Sequence, residues 1–311
     1  MTSIIQLLAT AALLFAFLPS QAQPGGFPPQ GQRPPQGQMP QGQRPPQGQQ
    51  MQQRPQGPSH QTAFGKHASD NMKIGIAGYS YRGMDLETTL QYLNDMGVHY
   101  LSVKDFWLPL DATAEQIAAF KAKCAEYDVE GYTLGPIYMR SEADVDRAFA
   151  YAQRYGASWF IGVPNYELLP YTIEKVKQTG IKVAIHTHGP DGQAFPDIRT
   201  VVEMVKDPNL GIGCCMDLGH TFRSGYDVAK DIKKYGKWIM DVHIKDETAP
   251  SKEGDTWEMG RGQMDIPSII KAFQKIGYKG VLSIEFEKTA NRHPGIAESV
   301  GYLRGVIDTT K

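Results

Sequence analysis

From Met72 onward, short apolar segments alternate with amphipathic segments, and this alternation limits the possible folds more than any other feature of the chain. Eight segments have the length and composition of strands: residues 73–78, 99–104, 129–135, 158–163, 182–186, 211–217, 238–244 and 280–286. Helical patterns cover residues 85–97, 113–127, 142–156, 195–205 and 266–277, and helix ends are expected at Gly97, Gly156, Gly180 and Gly277. Strands that alternate with helices form right-handed βαβ units around a parallel sheet.

The number of these units favours a closed barrel. Eight strand and helix pairs within roughly 240 residues fit a (β/α)8 TIM barrel better than an open, doubly wound sheet. The glycines after the first strand, Gly75, Gly78 and Gly83, lack the spacing of a dinucleotide-binding fingerprint. We therefore predict an α/β domain with the TIM-barrel fold over residues 70–311.

The first 69 residues differ in composition from this domain. Residues 4–18 are an apolar run, and Ser20 and Ala22 follow at the small-residue positions of a cleavage site, which predicts a signal peptide over residues 1–22. A membrane anchor is the alternative, but the run is shorter than the ~20 residues of a spanning helix. Residues 23–69 repeat PPQGQ-like units, which predicts a disordered linker that acts as a spacer or a tether. We expect export to the periplasm or the medium, without a membrane span after cleavage.

Charge and cysteine content narrow the possible partners. Four of the 32 Lys and Arg residues precede Asp70, so the predicted domain has 28 basic against 33 acidic residues, a net charge of −5. A mildly acidic domain without basic runs argues against nucleic acid as a partner. Three cysteines form no disulfide framework and are expected to be buried thiols: Cys124, Cys214 and Cys215. The sequence leaves the oligomeric state open, with a homo-oligomer as one alternative.

Polar residues stand at the ends of the last four predicted strands, where TIM barrels build their active sites. These are His186, Asp217, His243 and Glu285. On a barrel the four side chains converge on one side of the axis. Two imidazoles and two carboxylates suit one divalent ion such as Mn²⁺, Zn²⁺, Co²⁺ or Fe²⁺. A polar network without metal is the alternative.

Five segments resemble, in order, conserved blocks of the xylose-isomerase-like TIM-barrel superfamily: VAIHTHG, MDLGH, DVHIKD, GRGQMDI and GYKGVLSIEFE. The most specific parts are DxGH at 217–220, HxKD at 243–246 and GxGxxD at 260–265. The resemblance, which includes a secreted branch of sugar isomerases and epimerases, implies a metal held by one residue from each of the last four strands. It carries over to Asp217, His243 and Glu285. The epimerases end the fifth strand with Glu, whereas this chain has His186, so their proton-transferring carboxylate pair is incomplete here.

The superfamily shares proton abstraction next to a carbonyl through a metal-stabilised enediolate. The resemblance thus implies an isomerase or epimerase that acts on a non-phosphorylated sugar or keto-sugar. A lyase or hydratase acting on 3-keto-glycosides at the same metal site is the alternative.

Two further classes of protein fit the sequence less well. A DNA-repair endonuclease needs additional His and Glu ligands at the first four strand ends, which offer Tyr79, Lys104, Gly135 and Gly162. A non-catalytic sugar-binding barrel has no reason to keep the ligand set.

Three residues are candidates for a catalytic role. His188 and Lys104 are candidate bases, and pairing of Lys104 with Asp105 at the rim is the alternative. By the family pattern, His220 contacts substrate oxygens or the metal-bound water.

Five residues are candidates for substrate binding. Trp107, Tyr138 and Trp257 could stack on sugar rings. Lys245 would stabilise the enediolate charge, with a surface salt bridge to Asp246 or Glu247 as the alternative. Arg261 belongs to a GRG segment that either approaches the substrate or permits a turn before Asp265, the predicted N-cap of a helix that begins at Ile266.

Overall fold

The computed structural model describes residues 72–192 and 194–310. The predicted signal peptide and linker lie outside the described residues. Nine strands form one sheet: β1 (Lys73–Ala77), β2 (Tyr100–Val103), β3 (Glu130–Leu134), β4 (Ile137–Met139), β5 (Trp159–Pro164), β6 (Lys182–His186), β7 (Ile212–Asp217), β8 (Ile239–Ile244) and β11 (Val281–Ile284). A hairpin of β9 (Asp246–Glu247) and β10 (Thr256–Trp257) follows β8.

The sheet is a closed parallel barrel. Its strand order is β3-β2-β1-β11-β8-β7-β6-β5-β4, with parallel pairing throughout. The two ends of this order, β3 and β4, are joined directly in the chain by Gly135 and Pro136 and together fill the third of eight barrel positions. Gly135 has a φ of 112°, and a Cβ atom there would lie 2.2 Å from the Ile161 carbonyl oxygen of β5. Only glycine permits this approach, which closes the barrel.

Helices cover the outside of the barrel: α1 (Leu86–Asp95), α2 (Ala114–Glu126), α3 (Glu142–Tyr155), α4 (Leu169–Thr179), α5 (Ile198–Val205), α6 (Leu218–Arg223), α7 (Val228–Tyr235), α8 (Ile266–Ile276) and α9 (Arg292–Thr309). The predicted helices are confirmed. Asp265 caps α8 by accepting a hydrogen bond from the Ser268 backbone N–H at 3.0 Å. The predicted glycine stops are left-handed at Gly97, Gly156, Gly180 and Gly277.

The predicted strands are also confirmed, with ends that shift by one or two residues. The third predicted strand is interrupted at Gly135 and continues as β4, which the sequence pattern did not indicate. The last strand ends at Ile284, one residue before Glu285. The β9–β10 hairpin was not predicted, because two-residue strands carry no periodicity.

The apolar core lies between the barrel and its helices, with the strands buried along most of their length. The cysteines are free and buried as predicted, and Cys215 packs inside the barrel with Ile161 and Ala184. Among the described residues, no helix combines the length and apolar character that a membrane crossing requires.

Candidate metal centre and active site

Four buried side chains meet at the C-terminal edge of β6, β7, β8 and β11. His186 ends β6, Asp217 ends β7, His243 lies near the end of β8, and Glu285 follows β11. Adjacent strands hold them at one level, because His243 pairs in register with Asp217 on one side and with Ser283 on the other. Their ligand atoms all lie within 4.8 Å of one another. The structure brings together the four predicted metal ligands.

The spacing of these atoms fits one divalent ion. His186 Nε2 lies 3.0 Å from His243 Nδ1 and 3.7 Å from Asp217 Oδ2, and His243 Nδ1 lies 3.3 Å from Glu285 Oε2. A tetrahedral zinc site with bonds of about 2.1 Å places its ligands about 3.4 Å apart. Asp217 is fixed further, since its Oδ1 accepts a hydrogen bond from the backbone N–H of His220 and caps α6.

Lys245 provides the positive charge that this carboxylate pair requires. Its Nζ atom lies 2.9 Å from Asp217 Oδ2, 2.8 Å from Glu285 Oε2 and 3.1 Å from Glu287 Oε2. Burial lowers the pKa of Lys245, but the three carboxylates outweigh burial and hold it well above its ordinary value. The alternative of a surface salt bridge with Asp246 or Glu247 is wrong, because Lys245 is fully buried in the cluster.

The pKa values of the two ligand carboxylates shift in opposite directions. Burial raises the pKa of Asp217 to about 7, against the opposing effect of Lys245. Burial also acts to raise the pKa of Glu285, but Lys245 and His243 together hold it well below its usual range. Glu285 is therefore a carboxylate at neutral pH, and a cation at the site would favour the same form of Asp217.

Three imidazoles at the site have lowered pKa values and are therefore neutral at neutral pH, the form in which an imidazole binds a metal or accepts a proton: His186, His188 and His220. Burial, and next the neighbouring His243, lower the pKa of His186 well below its ordinary value. Burial and then Lys245 lower the pKa of His220 to about 3. His243 differs, because Glu285 outweighs the effect of burial and raises its pKa.

His188, His220 and Tyr138 surround the four ligands, so the structure brings these predicted site residues to the cluster. The ring centroid of His188 lies 4.7 Å from that of His186, and its Nε2 atom is 3.0 Å from Tyr138 Oη. Burial lowers the pKa of His188. Tyr138 lies on β4 with 52% of its surface exposed. His220 Nε2 is 3.9 Å from Asp217 Oδ2.

Lys104 and Trp107 lie beyond the end of β2, with their polar atoms bound to backbone. Lys104 Nζ donates to the Pro136 carbonyl at 3.0 Å and lies 3.6 Å from Asp105 Oδ1, which is the alternative pairing. Trp107 Nε1 donates to the Met84 carbonyl at 2.8 Å. These contacts fix both side chains at the rim.

The backbone of the GRG segment, residues 260–262, binds the buried carboxylate of Asp246. Asp246 accepts hydrogen bonds from the backbone N–H groups of Glu247, Gly260, Gly262 and Met264. A Cβ atom on Gly262 would lie 2.2 Å from Asp246 Oδ1, so the glycine permits this approach. The HxKD and GxGxxD motifs are thus parts of one structural unit.

This unit directs Arg261 away from the cluster. Arg261 Nη2 donates to Glu298 Oε2 of α9 at 2.8 Å, outside the group of converging residues. Trp257, on β10, keeps 38% of its surface exposed, with Lys288 Nζ 3.6 Å from its ring centroid. The structure therefore places Trp257, but not Arg261, where a ligand near the cluster could reach it.

Sequence reasoning missed Glu247, Thr256 and Glu287 as site residues. Thr256 Oγ1 donates to Glu247 Oε1 at 3.2 Å and lies 3.4 Å from Glu287 Oε2. Burial raises the pKa of Glu247 to about 7. The two-residue alternation from His243 through Lys245 to Glu247 was an available signal, because such positions share one face of an extended chain.

An open cavity of about 430 Å³ adjoins this group. Its lining includes Arg223, Glu247, Thr256, Trp257, Glu287 and Lys288. One lining residue, Glu287, contacts Lys245, which in turn contacts the ligands Asp217 and Glu285.

Comparison with known families matches residues 90–306 to the family described as xylose isomerase-like TIM barrel. Among proteins with an assigned name, the chain is 28% identical over 145 residues to the rhizopine catabolism protein MocC of Rhizobium meliloti, covering 42% of this chain and 44% of MocC. It is 28% identical over 142 residues to inosose dehydratase of Clostridium perfringens, covering 40% and 46%. The chain thus matches less than half the length of each relative.

Solved structures share the fold. The IOLI protein with a bound zinc atom superposes with a TM-score of 0.60 and 16% identity, covering 77% of this chain and 99% of that one. A xylose isomerase-like TIM barrel protein from Mycobacterium smegmatis, in complex with magnesium, gives a TM-score of 0.58 and 15% identity, covering 79% and 99%. At these identities the likeness shows the fold alone.

Proposed function

Because this chain belongs to the xylose isomerase-like TIM barrel family, we propose that it is a metal-dependent enzyme of the isomerase or epimerase type, which removes a proton next to the carbonyl group of a sugar. The observation that supports this most directly is the convergence of His186, Asp217, His243 and Glu285, with neutral His188 beside them. The export predicted from residues 1–22 favours a non-phosphorylated sugar or keto-sugar. Similarity to a protein of rhizopine catabolism and to inosose dehydratase is consistent with a small-molecule substrate.

The four ligands would hold one divalent ion, which would polarise the substrate carbonyl and stabilise the negative charge left by proton removal. Two imidazoles and two carboxylates favour Zn²⁺, Mn²⁺ or Co²⁺ over Mg²⁺, which prefers oxygen ligands. Solved structures of the same fold contain zinc in the IOLI protein and magnesium in the Mycobacterium smegmatis protein, so this choice rests on the ligand chemistry of the four residues.

His188 is the base that the geometry favours. Burial keeps its imidazole neutral at neutral pH, so a ring nitrogen has a lone pair for the substrate proton. Once Nε2 carries a proton, it can donate to Tyr138 Oη, 3.0 Å away, which keeps the ring in place. Lys104 is less suited, because its Nζ atom is held by the Pro136 carbonyl and lies near Asp105.

Lys245 and His220 complete the polar environment. The Lys245 ammonium group lies against two ligand carboxylates and limits the charge repulsion between them. His220 is neutral and lies beside Asp217, where it can bind a substrate hydroxyl group. Reprotonation at a different position or face then gives the isomer or epimer.

Elimination is a second candidate, and a specific observation favours it. Glu247 is a buried acid that retains its proton up to about pH 7, and it lines a cavity together with Glu287, which contacts Lys245 beside the metal ligands. A protonated acid of this kind can assist a leaving group. Similarity to inosose dehydratase also supports elimination as the reaction.

Hydrogen exchange tests proton abstraction without assuming the product. The metal-loaded chain is incubated in D₂O with a free ketose or a methyl 3-keto-glucoside, and NMR follows deuterium entry next to the carbonyl. We expect exchange with at least one substrate, and loss of exchange with retained metal in His188→Asn. His99→Asn, which changes a histidine at the opposite end of the barrel, is the matched control. A metal-loaded chain that exchanges and converts neither substrate would contradict the proposal.

A further inference from the structure

A chain of contacts leads from the metal centre into the neighbouring cavity. Lys245 Nζ touches the ligands Asp217 and Glu285 and also lies 3.1 Å from Glu287 Oε2. Thr256 Oγ1 lies 3.4 Å from the same Glu287 oxygen and donates to Glu247 Oε1 at 3.2 Å. The cavity lining is therefore joined to the metal ligands by a chain of polar side chains.

The cavity has the size and lining of a ligand subsite. Its volume of about 430 Å³ lies in the range of about 300–1,000 Å³ that is usual for small-molecule pockets. Trp257 offers a partly exposed ring, and Lys288 lies over that ring at 3.6 Å. Because Lys288 covers one ring face, a bound sugar or aromatic ring would pack against the other face or the edge of Trp257.

Glu247 is the unusual member of this lining. Only 1% of the residue is exposed, and among the described residues its Oε2 atom has no hydrogen-bond partner. A buried carboxylate with one unpaired oxygen is unfavourable in its charged form, so burial raises the pKa of Glu247 to about 7. The side chain is a carboxylic acid whose proton is not used within the protein.

Glu287 cannot fill the same role. Glu287 Oε2 is paired with the Lys245 ammonium group 3.1 Å away, whereas Glu247 Oε2 has no partner among the described residues. Its contacts with Lys245 and Thr256 instead fix the groups around Glu247. The two glutamates differ in environment, and only Glu247 is suited to act as an acid.

We propose that the cavity lined by Glu247, Trp257 and Lys288 binds the leaving group of a 3-keto-glycoside, and that Glu247 protonates the departing oxygen. This inference rests on the elimination form of the proposed function. The leaving group is an alcohol, a phenol or a second sugar joined to the anomeric carbon.

The step is a redox-neutral β-elimination. A base takes the proton from C2, next to the C3 carbonyl, and the C2–H electron pair forms the C1=C2 double bond. The C1–O bond breaks, its electrons stay on the leaving oxygen, and that oxygen takes the proton of Glu247. The products are a free alcohol and an unsaturated 3-keto-sugar, and Glu247 regains a proton from solvent.

Leaving groups of different acidity test this assignment. The metal-loaded enzyme and its Glu247→Gln variant are assayed with methyl, phenyl and p-nitrophenyl 3-keto-β-glucosides. A methoxide leaving group needs a proton, so its elimination should fall by ~100-fold or more in the variant. The p-nitrophenolate ion leaves without a proton, so its elimination should fall by less than ~10-fold. Glu298→Gln, on the outer surface, is the matched control.

Binding gives a readout that does not depend on turnover. Phenyl β-glucoside lacks the ketone and is not eliminated, so its affinity can be measured by calorimetry. Trp257→Ala should weaken its binding by ~10-fold with metal content unchanged, while methyl β-glucoside binding changes less. Equal changes for both glucosides would overturn the location of the subsite.

The outcomes separate this inference from the proposed function. Equal losses for all three keto-glucosides in Glu247→Gln, or no loss, would overturn the role of Glu247. Deuterium exchange with a free ketose but no alcohol release from any keto-glucoside would also overturn it, while the proposed proton abstraction would stand. Failure of exchange with every substrate would contradict the proposed function itself.

Discussion

The two halves of the barrel's C-terminal rim differ in chemistry. Where β6, β7, β8 and β11 end, imidazoles, carboxylates and one ammonium group are buried against each other. Where β1, β2 and β4 end, the exposed large side chains are aromatic: Tyr79, Phe106 and Tyr138. Lys104 is the buried ionic residue of that half, and it is held by a backbone carbonyl.

In the proposed function, the polar half carries the chemistry and the aromatic half binds the sugar. Buried charges are unfavourable unless paired, so the polar half depends on mutual compensation and, in the proposed function, on a bound cation. The aromatic half loses little free energy by remaining exposed, and its rings suit the apolar face of a sugar. Tyr138 connects the two halves, because its hydroxyl group contacts His188 while its ring stays accessible.

The substitution with the largest expected effect removes the positive charge that compensates the carboxylates of the polar half. Lys245→Met leaves Asp217, Glu285 and Glu287 without their cation, and loss of a buried partner costs about 3–5 kcal/mol. We expect the metal-free variant to lose that stability in urea denaturation, and added Zn²⁺ to restore most of it. Lys288→Met, next to Glu258, is the control. Unchanged stability of the metal-free variant would show that the ammonium group is not needed.

A change of one ligand tests whether the polar half holds the chemistry. Glu285→Gln removes a charged ligand while keeping the shape of the side chain. Turnover should fall by at least ~100-fold, because polarisation by the metal supplies several kcal/mol. Glu298→Gln should retain full turnover. Activity of Glu285→Gln near the parent level would place the chemistry elsewhere.

The pH dependence of stability sharpens the comparison at Glu247. Its pKa is about 7 in the folded chain against an ordinary 4.5, so the folded state keeps a proton that the unfolded state releases between these values. The stability contributed by this group is present below pH 4.5 and is lost as pH rises to 7, by about 3 kcal/mol. Relative to the parent, Glu247→Gln should therefore gain stability over this range and level off above pH 7. A difference that does not vary with pH would exclude a protonated Glu247.

The smallest expected effect comes from substitutions of Tyr138 in the aromatic half. Tyr138→Ala should raise KM by ~10-fold through lost stacking, with metal content unchanged. Tyr138→Phe keeps the ring and removes the contact with His188, so it should change kcat more than KM. Loss of metal in Tyr138→Ala would show that the two halves are not separable.

The barrel and the four ligands could be predicted because both follow from regular geometry. Strand ends of a parallel barrel lie at one edge, so His186, Asp217, His243 and Glu285 were expected to meet. No comparable rule predicts the path of the irregular segments from the sequence. The outward turn of Arg261 depends on the glycines that surround Asp246, and the contact of Thr256 with Glu247 depends on the β9–β10 hairpin. The full burial of Lys245 depends on three carboxylates, from Asp217 at the end of β7 and from Glu285 and Glu287 in the segment after β11.

Metal stoichiometry tests the central claim most directly. The purified full-length chain is exposed to Zn²⁺, Mn²⁺ and Co²⁺, freed of loosely bound ions, and measured by elemental mass spectrometry beside its Glu285→Gln and Glu298→Gln variants. We expect about one divalent ion per chain in the parent and in Glu298→Gln, and a large loss in Glu285→Gln. A parent that retains no divalent ion, or a Glu285→Gln variant that retains as much as the parent, would contradict the assignment of this cluster as a metal centre.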